Sequence, residues 1–75
     1  MSSFEFRNGK YIVMNKRTGK LKLVKTYLDN ILHGEFTYYW DNGNVRLKGK
    51  FIDSKRTGSW KNFDPNGALI LEENY

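Results

Sequence analysis

The sequence has no cysteine and a single histidine, His33. The first absence excludes disulfides and thiolate metal sites, and the second leaves too few ligands for a structural zinc site. No apolar run approaches the roughly 18 residues that span a bilayer. The opening segment MSSFEFRNGK carries no signal-peptide core, because Glu5 and Arg7 interrupt its apolar residues. These absences predict a soluble cytoplasmic protein.

Catalytic arrangements are missing as well. The glycines occur singly, each near a turn, unlike the clustered glycines of a phosphate loop. No Ser/His/Asp or Cys/His set can be assembled. The carboxylates Asp41 and Asp64 stand at turn starts, where such groups cap backbone N–H donors. Asp29 and Asp53 fall in the segments that link larger units, and His33 reads as a solvated residue in the first of them. Paired carboxylates for glycoside chemistry would need a pocket. The expectation is a protein without enzymatic activity, cofactor or metal.

What the chain does contain is aromatic side chains, twelve among 75 residues. In so short a chain they must supply most of the buried area. They recur in a pattern. The stretch GEFTYYWDNGNVRLKGKF, residues 34–51, realigns with residues 58–75 on a shift of 24, and with residues 10–27 on the reverse shift. Positions 12/36/60, 19/43/67, 21/45/69, 23/47/71 and 27/51/75 keep their character in all three copies. A fixed period of this length signals stacked supersecondary units.

Within each copy, alternation of period two dominates and glycines break any helical run. Each unit therefore reads as a β-hairpin, closed by Gly19, Gly43 or Gly67. Leu21, Leu23 and Tyr27, with their counterparts Val45, Leu47 and Phe51, are expected on one face of the returning strand. The predicted fold is all-β: a single-layer antiparallel meander of stacked hairpins with about seven strands. The chain reads as one domain, 1–75, with an N-terminal cap strand in residues 1–9 and repeats at 10–33, 34–57 and 58–75. Residues 28–33 are expected to link the first repeat to the second.

These units resemble the MORN repeat, in the short variants of bacteria and their phages. Its scheme, Gly-x-aromatic-x-x-aromatic-x-x-Asn-Gly-x-aliphatic, is carried by Gly34-Glu35-Phe36, Tyr39, Asn42-Gly43 and Val45. Gly58-Ser59-Trp60, Phe63, Asn66-Gly67 and Leu69 carry it again. The first unit departs from the scheme, with Lys10 for the first glycine and Thr18-Gly19 for Asn-Gly. The resemblance implies an elongated sheet of hairpins in a binding or assembly role, and some bacterial relatives are antitoxin-like.

The net charge of +5 favours acidic partners. Lys16, Arg17, Lys20, Lys22 and Lys25 cluster in the first unit. Arg46, Lys48 and Lys50 alternate along the second, so that Lys20, Lys22, Arg46, Lys48 and Lys50 are expected to share one face. Such a stripe suits a solvated sheet face, an acidic protein partner or nucleic acid. Tyr38 and Trp40 are aromatics that the repeat does not demand, which makes them candidate contact residues. The reading that follows is a protein-binding module that inhibits or regulates an acidic partner by occupancy. The alternatives are nucleic-acid binding and attachment to an anionic membrane surface. Self-association is a further expectation, since a one-layer sheet leaves apolar area and two strand edges uncovered.

Overall fold

The computed structural model describes residues 9–75. The expected cap strand falls almost wholly outside these described residues. Six strands follow one another: β1 (Gly9–Met14), β2 (Leu21–Leu28), β3 (Ile31–Tyr39), β4 (Val45–Ile52), β5 (Lys55–Phe63) and β6 (Leu69–Asn74). Each pairs antiparallel with the next, and their order in the sheet is their order in sequence. The result is the expected meander, one layer thick, measuring 44 × 33 × 11 Å. Among the described residues, no helix is long and apolar enough to cross a membrane.

Two kinds of turn alternate along the meander. At one end lie the glycine turns 15–20, 40–44 and 64–68. At the other end, Asp29-Asn30 and Asp53-Ser54 make two-residue hairpin turns. Both central residues of each have positive φ, 52° and 66° in the first and 50° and 67° in the second. This is the type I′ geometry whose twist matches that of paired strands. Residues 28–33 are therefore not a linker: Ile31, Leu32 and His33 already belong to β3. His33 is half-buried rather than solvated, and its Nδ1 has no hydrogen-bond partner.

Residues opposite one another in register share a face. One row runs Val13, Leu23, Tyr38, Leu47, Asn62 and Leu71, and a neighbouring row runs Tyr11, Lys25, Phe36 and Gly49. These lie on what we term the aromatic face. The row Ile12, Val24, Thr37, Lys48, Lys61 and Glu72 lies on the other, basic face. Ile12 therefore does not stand where Phe36 and Trp60 stand; Tyr11 does. The cause is the first glycine turn, which has six residues where the other two have five. The extra residue displaces β1 by one, so Gly9 (φ 116°) takes the place of Gly34 (φ 108°). Gly9 and Gly34 pair with Tyr27 and Phe51 respectively.

Bulges set the remaining side-chain directions. Lys22, Arg46 and Ile70 each lie at a register shift, unpaired between neighbours that keep their partners. The extra residue moves Val45 opposite Tyr39, onto the basic face, while Leu47 stays opposite Tyr38 on the aromatic face. The expected common face for Leu21, Leu23 and Tyr27, and for Val45, Leu47 and Phe51, is thereby split. A second type of bulge sits at Gly34 and Gly58, where three residues of β3 or β5 oppose one of the preceding strand. Positive φ at both glycines permits it.

The core lies on the aromatic face of the last two units. Trp60 is the one fully buried side chain among the described residues, 1% exposed. Its indole lies on the backbone of Gly49, where a Cβ would come within 2.1 Å of the ring. The indole N–H donates to the Lys50 carbonyl at 3.1 Å. Phe51 packs edge-on at 5.0 Å, Phe36 lies tilted at 5.7 Å, and Tyr75 lies edge-on at 6.4 Å. The Arg56 guanidinium covers the Trp60 ring at 4.6 Å and that of Tyr75 at 5.6 Å.

Replacing Gly49 by alanine should force Trp60 off its seat and cost about 1–3 kcal/mol. Urea unfolding followed by tryptophan fluorescence measures it. An unchanged midpoint would show that the ring has room to spare.

Candidate functional site

The sequence-derived candidates separate into three groups in the structure. Tyr38, Trp40 and Arg46 form one cluster on the aromatic face. The Arg46 guanidinium stacks over the Trp40 ring at 4.4 Å and the Tyr38 ring at 5.1 Å. Its position in the bulge turns it away from Lys48 and Lys50, contrary to the expected common stripe. Trp40 also ties two repeats together, its indole N–H donating to the Phe63 carbonyl at 3.0 Å. Both rings are half-buried.

Lys20 belongs to a second group, a ladder of contacts joining consecutive glycine turns. Its ammonium donates to the Asn42 carbonyl at 3.1 Å. Arg17 forms an ion pair with Asp41 at 2.6 Å, and Asn15 Nδ2 donates to the other oxygen of the same carboxylate. Asn42 and Asn44 each donate a side-chain amide hydrogen to the Pro65 carbonyl at 2.8 Å. Asp64 caps its own turn as expected, accepting from the N–H groups of Asn66 and Ala68. Asp41 instead bridges back to the preceding turn. Lys22 is exposed at the first-unit bulge.

Lys48 and Lys50 form the third group, on the basic face, and the structure adds a residue that sequence analysis missed. Lys61 of β5 stands directly opposite Lys48 of β4. None of the three ammonium groups forms an ion pair among the described residues. The register places Glu35 opposite Lys50 and Glu72 opposite Lys61, bounding the basic group on both sides. Glu72 is held there by a hydrogen bond from the Ser59 hydroxyl. Lys61 was missed because its repeat counterparts, Thr37 and Val13, carry no charge; only strand pairing brings it to Lys48.

The basic group surrounds a depression of about 470 Å³ lined by Glu35, Lys48, Gly49, Lys50, Thr57, Gly58, Ser59 and Lys61. The side chain position of Gly49 lies on the opposite face, where the Trp60 ring fills it. A second depression of about 280 Å³ adjoins it, lined by Asn44, Val45, Lys48, Phe63, Asn66 and Gly67. Lys48 is common to both. This arrangement offers positive charge, hydroxyls and apolar surface side by side. No group of three or more His, Asp or Glu among the described residues could hold a metal ion.

Stacked hairpins in one open sheet, with turns laddered to turns, define the class: a single-layer β-repeat protein. A family model described as MORN repeat variant matches residues 32–53 and 56–75, more than half of the chain. The chain belongs to the MORN repeat family. Residues 10–31, which hold the longer turn of the first unit, lie outside the two matched stretches. No curated protein and no solved structure matches the chain.

Like charges directly opposite across an antiparallel pair are destabilising. Lys48→Glu should therefore raise stability by about 0.2–1 kcal/mol, by converting the repulsion with Lys61 into attraction. The shift in the urea midpoint tests this. A loss of stability would mean that Lys48 holds the fold in some other way.

Proposed function

We propose that this chain is a non-catalytic binding module that docks on an acidic surface of another protein and inhibits or regulates it by occupancy, in the manner of an antitoxin. One observation carries the reading. Lys48, Lys50 and Lys61 gather on the face that the aromatic core leaves free, none of them in an ion pair among the described residues, and Lys48 stands opposite Lys61 at some expense to the fold. Glu35 and Glu72 offset Lys50 and Lys61 across their pairs, whereas Lys48 has Thr37 and Lys61 as its cross-strand neighbours. A surface pair that lowers stability is compatible with a contact role there. The net charge of +5 adds long-range attraction toward an acidic partner.

Nucleic acid fits this face less well. The rings that could stack on bases lie chiefly on the opposite side, and Glu35 and Glu72 flank the lysines where a phosphate backbone crossing the strands would pass.

Affinity capture from the native host, with wild-type protein and the double variant K48Q/K50Q in parallel, tests the proposal. The expected result is an acidic protein that binds the wild type, binds again once purified, and is lost with the variant. Tight binding of oligothymidylate with a steep salt dependence would instead support the nucleic-acid reading. Retention on anionic but not neutral vesicles would support the membrane reading.

A further inference from the structure

The geometry points to one continuous channel along β4 and β5, built to hold an extended peptide segment with an apolar residue followed by two acidic residues at alternate positions. The inference rests on the occupancy reading above and specifies its contact. Lys48 lines both depressions, so they lie side by side between the turn of Asn44 and Gly67 and the bulge at Gly58. At the turn end the surface is apolar, formed by Val45 and Phe63. Toward the bulge it is mainly basic, formed by Lys48, Lys61 and Lys50, with Glu35 at the margin beside Lys50 and the hydroxyls of Thr57 and Ser59 beside them.

The spacing sets the occupant. Lys48 and Lys50 lie two residues apart on one strand, about 7 Å along its axis. An extended peptide presents alternate side chains at the same interval. Carboxylates at two alternate positions therefore meet Lys48 and Lys50 in turn, with Lys61 completing a fork around the first. The next alternate position toward the turn lies over Val45 and Phe63, where an apolar side chain is needed. Glu35 beside Lys50 and Glu72 beside Lys61 leave the positive potential greatest at Lys48, between β4 and β5, which favours a segment running along the strands.

Backbone at Gly49 and Gly58 forms part of the floor. Gly49 is needed by the core on the opposite side, where Trp60 rests on it.

The probe is a dansylated peptide, Leu-Ser-Glu-Ser-Glu, with its reversed sequence, because either chain direction can present the same alternation. The control is Leu-Ser-Gln-Ser-Gln. Backbone amide resonances of the full chain report where each one binds. The expected result is that at least one acidic peptide, and not the control, shifts the amides of residues 45–50 and 57–63. K48Q/K61Q should weaken binding by about tenfold, the loss of two exposed ion pairs. K16Q/K55Q, which removes the same charge away from the channel, should leave the affinity unchanged.

Shifts confined to the aromatic face, equal binding of the control, an equal loss with K16Q/K55Q, or displacement by oligothymidylate would each overturn the channel. If no probe binds while a captured acidic protein still holds the wild type and K48Q/K61Q alike, the channel is wrong and the occupancy reading stands. If neither probes nor any acidic protein bind, both fall.

Discussion

The contact between the Trp60 indole and the bare backbone of Gly49 is the constraint on which this structure turns. A single sheet has no opposing layer against which to bury side chains. It must bury them against its own surface, and a large flat ring needs a strand position with no Cβ. Gly49 provides that position, and Phe36, Phe51, Tyr75 and the Arg56 guanidinium close around the ring. Elsewhere no described hydrophobic side chain is fully buried. Tyr11 and Tyr27, in the first unit, instead share the Lys25 ammonium, which stands where the second unit has Gly49.

With so little buried, the units are also tied at their ends. The glycine turns are linked by Arg17 and Asn15 to Asp41, by Lys20 to Asn42, and by Asn42 and Asn44 to Pro65. At the opposite end, the Ser54 N–H donates to the Leu32 carbonyl. Most of these bonds are exposed, and each contributes little by itself. Their effect is to hold successive hairpins in one register, so that rings of neighbouring units meet. Because the rings and turns carry the fold, the basic face is free of that duty. A pair such as Lys48 and Lys61 can then persist there.

The repeat made much of this legible. A period of 24 and the Asn-Gly turns are enough to place hairpins in sequence order, and the aromatic positions of the second and third units fall where expected. The first unit was misaligned by one residue because its turn contains an extra residue. The signal was present: Gly9-Lys10-Tyr11 has the form of Gly34-Glu35-Phe36 and Gly58-Ser59-Trp60. A gapless comparison passes over it. The grouping of Arg46 with Lys48 and Lys50 failed for a related reason. Strict alternation assumes a flat strand, and a bulge after each glycine turn reverses the side of one residue.

Sequence alone determined the architecture, because period and alternation are local properties that the backbone must obey wherever the chain lies. It also determined that charge and aromatics would be segregated along the strands. Only the tertiary structure decided which charges meet. Lys61 reaches Lys48 through pairing between strands, and the bulges assign Arg46 and Val45 to faces opposite those that counting implies. Pairing and bulging depend on contacts with the neighbouring strand. Those contacts are absent from any one stretch of sequence until the sheet has formed.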